Sequence, residues 1–169
     1  FNIKSCSKNA ITLDKCRYKV DGGEWQDEIA VLNLQNKLLE LKRSCDVILE
    51  FEFDISEEFD FSTVSLCIEE PEILKIFING LEHNFVDEGY FVDKSIRCSN
   101  IGKHLKLGKN TITFSLNYYQ SDFVYYTKFT PGISETLRNK LTYDTELESI
   151  YIIGDFGVKL DGDYHYGER

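Results

Sequence analysis

The chain alternates. Val47, Leu49, Phe51, Phe53 and Ile55 are interleaved with Ile48, Glu50, Glu52 and Asp54. In extended backbone this sets five apolar groups on one face and mostly acids on the other. The same period of two runs through Val64, Leu66 and Ile68, through Leu74, Ile76 and Ile78, and through Ile112, Phe114, Leu116 and Tyr118. Asn79-Gly80 supplies the pair of positive-φ residues that a tight hairpin favours. Residues 10–20, 90–97, 123–129 and 150–158 are further predicted strands. Helical spacing is weaker. Val31, Leu34, Leu38 and Leu41 predict a short helix within residues 30–42, although Leu38, Leu39 and Leu41 would also suit a strand. Thr130-Pro131 reads as a cap and first helical position, with a short helix running on to Leu141. Residues 99–108 read as one helical turn closed by Gly108.

Strands with one apolar face must bury it against another layer. Strands spaced by about ten residues, with turn chemistry between them, predict an antiparallel sandwich or barrel. Parallel winding is excluded, because residues 47–78 leave no room for a crossover helix. The 169 residues suffice for one core, and no repeat, linker or low-complexity segment divides them. The expectation is one domain over residues 1–169. It begins at Phe1, so we read it as a piece of something longer or a mature product.

Charge narrows the partners. Nineteen Lys and Arg stand against 29 Asp and Glu, a net charge of −10. Phosphate backbones and anionic membrane faces are repelled by such a surface, so no nucleic acid and no membrane partner is expected. No apolar run approaches the roughly 20 residues of a membrane span. The acids Glu50, Glu52, Asp54, Glu57, Glu58 and Asp60 read as the solvated face of a strand and its turn, with a cation site as the sharper alternative. Cys6, Cys16, Cys45, Cys67 and Cys98 are an odd, scattered set without CxxC. They predict small core residues and a reducing, cytoplasmic compartment, with one disulfide and a leftover thiol as the alternative. His83, His104 and His165 are isolated, and His83 and His104 are expected to face solvent. No motif calls for a cofactor or a metal.

A resemblance enters through three segments. The first is Leu13-Asp14-Lys15-Cys16-Arg17-Tyr18 with Asp21-Gly22-Gly23-Glu24-Trp25. The second joins Ile76-Phe77-Ile78-Asn79-Gly80, through Phe91-Val92-Asp93-Lys94-Ser95-Ile96, to Leu105-Lys106-Leu107-Gly108-Lys109-Asn110-Thr111-Ile112. The third is Asp144-Thr145-Glu146-Leu147-Glu148-Ser149-Ile150, running into Tyr151-Ile152-Ile153-Gly154-Asp155-Phe156-Gly157. The middle segment resembles the galactose-binding-like jelly-roll domains of glycoside hydrolases, such as the sugar-binding domain of family 2 enzymes. The outer two look like large bacterial proteins related to α-L-rhamnosidase-like enzymes. The resemblance implies an all-β jelly roll with short peripheral helices. It implies a non-catalytic domain that binds carbohydrate or positions a catalytic domain of a parent glycosidase. A purely structural scaffold is the first alternative, and a free-standing hydrolase the second. It also implies that catalytic acids lie on a separate barrel, so no catalytic residue is assigned.

Sugar binding asks for an aromatic face against the C–H side of a pyranose and polar groups on its hydroxyls. Glu24-Trp25 is the first candidate, because the only Trp follows a Gly-Gly turn in a polar loop. Asp87 and Tyr90 form a second, at a loop-to-strand junction. Tyr125 and Tyr126 form a third, one facing in and one out if residues 123–129 are a strand. Glu146, Glu148 and Asp155 are the most suggestive acids for hydrolysis, and Asp21, Glu24 and Glu148 for calcium. Structural roles as turn caps remain the simpler reading of both sets.

Overall fold

A computed structural model describes residues 8–158. Two antiparallel sheets carry the chain. The first is built from β1 (Asn9–Leu13), β5 (Ser65–Ile68), β8 (Tyr90–Phe91), β9 (Asp93–Asn100) and β11 (Ile150–Gly154), in the order β1-β11-β5-β9-β8. The second is built from β2 (Lys15–Val20), β3 (Gln26–Ala30), β4 (Cys45–Ile55), β6 (Lys75–Ile78), β7 (Leu81–His83) and β10 (Gly108–Tyr118), in the order β3-β2-β4-β10-β6-β7. Three short helices attach to them: α1 (Val31–Glu40), α2 (Asp122–Phe129) and α3 (Glu135–Asn139).

The alternation explains the layering. Val47, Leu49 and Phe51 on β4 pack with Ile112, Phe114 and Leu116 on β10 and with Ile76 and Ile78 on β6. They meet Val64, Leu66, Ile68, Ile150 and Ile152 from the other sheet in one core. The longest ladder pairs β4 with β10 from Cys45↔Tyr118 to Ile55↔Gly108. The apolar face of α1 closes one side through Val31, Leu34 and Leu38, as its 3.6-residue spacing predicts. Buried Gln35 ties this helix to the segment before β11. Its Nε2 donates to the Thr145 carbonyl at 3.2 Å and its Oε1 accepts from the Leu147 N–H at 3.1 Å.

The Asn-Gly hairpin is present, with Asn79 at φ 50 and Gly80 at φ 79 between β6 and β7. Asn79 also reaches across the sheet to Asn110, which is fully buried. Asn79 Nδ2 donates to Asn110 Oδ1 and to the His104 carbonyl, each at 2.8 Å, and its Oδ1 accepts from the Thr111 N–H at 3.0 Å. The two motifs separated in sequence are therefore one hydrogen-bonded knot.

Several expectations are corrected. Residues 123–129 form helix α2, not a strand. Val124 and Thr127 are its buried residues, and their spacing of three fits a helix face. Residues 10–20 are two strands in different sheets, because the chain breaks at Asp14, whose carbonyl accepts the Val31 N–H. The helix expected from Pro131 starts later, where the Ser134 side chain caps Leu137. Residues 90–97 contain a reversal at Val92, with φ 64. Residues 99–108 contribute the end of β9 before a 3-10 turn, Gly102–His104.

The cysteines follow the alternative that includes one disulfide. Cys67 on β5 and Cys98 on β9 are opposite one another in register and form a disulfide. Such pairs persist in oxidising surroundings. Cys16 and Cys45 are buried free thiols, and burial pushes the Cys16 thiol up to about 12. Cys6 and His165 lie outside the described residues. No helix among the described residues is long and apolar enough to cross a membrane.

Candidate functional site

The outward face of the six-stranded sheet brings together residues that are far apart in the chain. Tyr18, Leu49, Phe114 and Ile76 point into the core, so their chain neighbours point out. One outward row runs in register from Arg17 to Glu50, Thr113, Phe77 and Glu82, across β2, β4, β10, β6 and β7. The next runs through Lys19, Ile48, Ser115 and Lys75. Trp25 lies over the start of both rows. The Arg17 guanidinium carbon and Lys19 Nζ are each 5.1 Å from its ring centroid. Both cations hold the indole by its quadrupole, and the residue remains 37% exposed.

The rest of the face is polar and evenly charged. Arg17 and Glu50 are 3.7 Å apart, as are Lys75 and Glu82. Lys75 Nζ stands 5.3 Å from the Phe77 ring. A shallow trough of about 620 Å³ opens beside Ile48, Ser115, Lys75 and Asn117. Ligand sites commonly span about 300–1,000 Å³.

The six sequence candidates therefore separate. Trp25 stands on this face, while the neighbouring Glu24 is exposed and its carbonyl accepts from Gln26 Nε2 at 3.2 Å. Asp87 and Tyr90 meet around Arg97 at the opposite edge of the sandwich. The Asp87 carboxylate lies 4.0 Å from Arg97, which also bonds Glu72, and Tyr90 pairs with Arg97 across the β8–β9 ladder. Tyr125 and Tyr126 sit on helix α2, half-buried and exposed respectively. The prediction of one inward and one outward strand residue fails with the strand. The sequence reading missed Arg17, Lys19, Thr113 and Phe77. Their outward placement was legible from the alternation, but their cross-strand neighbours depend on strand order.

Other concavities differ in chemistry. A cleft of about 610 Å³ at one end of the sandwich is walled by Phe53, Phe59 and Phe156, with Asp54, Glu58 and Asp155 beside them. Among the described residues no amide, Lys, Arg or His side chain lines it, so those residues present acceptors with almost no donors. Glu146 and Glu148 open instead onto a slot of about 80 Å³, far from a ligand-sized pocket. Burial, then Glu146 and Glu69, push the Glu148 carboxyl above its ordinary value. Asp155, grouped with them in the sequence reading, lines the other cavity. Asp21 is engaged by Arg43 at 2.6 Å and by the Asp46 N–H at 3.0 Å. Among the described residues no three His, Cys, Asp or Glu side chains gather as a metal site.

His83 and His104 correct the expectation of solvent-facing rings. His83 is 5% exposed and stacks edge-on against half-buried His104, with ring centroids 5.3 Å apart. His83 Nε2 is 3.0 Å from Ser99 Oγ, which also accepts the Val86 N–H at 3.1 Å. This links β7 of one sheet to β9 of the other. Burial first, and then nearby positive charge, hold both imidazoles below their usual range.

Comparison with known proteins gives the architecture a precedent. A β-D-mannosidase from Dictyoglomus thermophilum aligns with a TM-score of 0.52 and 17% identity, over 86% of this chain and 22% of that one. A β-glucuronidase from Ruminococcus gnavus, solved in complex with D-glucaro-d-lactam, aligns with a TM-score of 0.52 and 15% identity, over 91% of this chain and 30% of that one. The fold is a two-sheet antiparallel β-sandwich of the kind these two enzymes contain. The expectation of an all-β antiparallel sandwich with short helices holds, and the chain spans less than a third of either neighbour. No protein-family profile matches the sequence, and no curated protein matches it.

Proposed function

We propose that this chain is a non-catalytic accessory domain of a glycosidase-like protein and that it binds saccharide weakly through Trp25. The observation that carries the reading is the placement of that indole. It lies on the solvent side of a sheet, over Arg17 and Lys19, with over a third of its surface open. A Trp recruited only for packing would bury that area, since aromatics bring large apolar surface to a core. Cationic donors and carboxylate acceptors flank it, as sugar hydroxyls require. A non-catalytic role is supported by the acids. The carboxyl pushed up in pKa, Glu148, opens onto a slot too small for a sugar. Cytoplasmic placement is not retained in this proposal, because the Cys67–Cys98 disulfide favours an oxidising compartment.

Isothermal calorimetry and a glycan array with the purified chain test this, with Trp25→Ala as control. Binding at millimolar to micromolar strength that falls about tenfold or more in the variant supports it. Unchanged binding in the variant moves the site away from Trp25, with the Asp87, Tyr90 and Arg97 cluster next in line.

A scaffold role is the second reading, and helix α2 favours it. Phe123, Tyr126 and Phe129 follow one another at intervals of three along that helix and are 56%, 55% and 36% exposed. Such an aromatic strip suits packing against another domain. Failure to bind any glycan by a folded sample would leave this reading in possession.

A further inference from the structure

We propose that the outward face of the six-stranded sheet is a track for an extended, neutral oligosaccharide, running across the strands from Trp25 to Phe77. The inference rests on the saccharide-binding reading and goes beyond it. A single Trp defines one stacking contact; the register defines a line of subsites.

Trp25 sits over β2, and Phe77 belongs to β6. In the strand order β2-β4-β10-β6 they are separated by three strand spacings, about 14 Å at about 4.8 Å each. A pyranose unit advances an extended chain by about one such spacing, so the two rings would bracket about three or four sugars. Between them lie Arg17, Glu50 and Thr113, in register and half-buried. The Thr113 and Ser115 hydroxyls make no hydrogen bond within the described protein. Each keeps one donor and two acceptor positions for a ligand. The trough beside Ile48, Ser115 and Lys75 makes the second row concave along the same direction.

Charge selects the ligand class. The two rows carry Arg17, Lys19 and Lys75 against Glu50 and Glu82, and Asp46 and Glu72 line the trough, so three cations face four anions on a chain whose net charge is −10. Arg17 is paired with Glu50, and Lys75 with Glu82. A face so balanced gives little field to attract a polyanion, and the protein around it repels one. It offers instead donors, acceptors and two aromatic rings, which suits a neutral, polyhydroxylated chain. The other sheet is different in kind. Its outward side gathers Cys67, Cys98, Ile153, Phe91, Ile96 and Tyr151 into an apolar cluster. The two outer faces thus divide polar recognition from apolar packing.

Chain length is the discriminating variable. Calorimetry would use neutral, β-linked gluco-, manno- and xylo-oligosaccharides from monosaccharide to hexasaccharide. The track predicts that affinity for one series rises by about tenfold or more from mono- to tetrasaccharide and then levels off. Phe77→Ala should bring the tetrasaccharide down to disaccharide affinity and leave the monosaccharide unchanged. Thr113→Arg, which blocks mid-track without touching the core, should do the same, so the conclusion does not hang on one variant. Trp25→Ala should weaken every length. Affinity independent of length, or a tetrasaccharide indifferent to both Phe77→Ala and Thr113→Arg, overturns the track while leaving single-sugar binding intact. Absence of binding at every length overturns the track together with the reading beneath it.

Discussion

Asn110→Ala is the most informative single perturbation of the fold. Asn110 is fully buried. Its Oδ1 accepts from the Lys106 N–H at 3.1 Å and from Asn79 Nδ2 at 2.8 Å. Its Nδ2 donates to the carbonyls of Lys106 at 2.7 Å and Gly108 at 2.9 Å. Truncation removes all four. A net value of about 0.5–1.5 kcal/mol per bond gives about 2–6 kcal/mol in total. Shared partners make the sum sub-additive, and Asn79 keeps its bond to the His104 carbonyl. We therefore expect a loss of about 3–4 kcal/mol, against a total stability of roughly 5–15 kcal/mol. At this size that lowers Tm by about 10 °C. Urea unfolding followed by Trp25 fluorescence measures the loss, and hydrogen exchange at the Lys106 and Thr111 amides localises it. Asn117→Ala, which removes one exposed bond to Asp46, serves as control and should stay within about 0.5 kcal/mol. A loss below about 1 kcal/mol for Asn110→Ala would show that the two turns hold without their side-chain knot.

Opening the Cys67–Cys98 disulfide releases a loop with a separation of 31 residues, which chain entropy values at about 3–4 kcal/mol. Unfolding with and without reductant measures it, and equal Tm values would count against the bond. Stability should also fall as pH drops through about 6.5, because unfolded histidines take up protons more readily than buried His83 and half-buried His104, whose pKa values are lowered. His83→Gln should flatten that slope, and an unaltered slope would assign it elsewhere. A separate acid loss belongs below about pH 4, where Asp21, Glu72 and Asp144, held down mainly by their hydrogen-bond partners, become protonated. Gly102→Ala should prevent folding or cost several kcal/mol, because its Cβ would lie 2.1 Å from the Phe61 carbonyl oxygen. Gly157→Ala meets nothing within 4 Å among the described residues and should be nearly neutral by thermal melting.

The β-strands with strict alternation were legible because one buried face is enough to impose the pattern. Val47 to Ile55 and Ile112 to Tyr118 show this on β4 and β10. Helix α2 was misread for a definite reason. Phe123, Tyr125, Tyr126 and Phe129 have strand-favouring side chains, and they outweighed the weaker spacing of buried Val124 and Thr127. His83 was misread because it ends a short strand after a turn, where sequence gives no sign of the second sheet that covers it.

Local chemistry decided the layers, the Asn-Gly turn, the helix within residues 30–42 and the presence of an accessible Trp, since each depends on backbone preference and on which face is greasy. Strand order decided everything about who meets whom. It joins Arg17 to Phe77 across four strands, pairs Cys67 with Cys98, and keeps Trp25 away from Asp87 and Tyr90. Those relations depend on long-range pairing, and neither residue spacing nor composition specifies which edge a strand will choose.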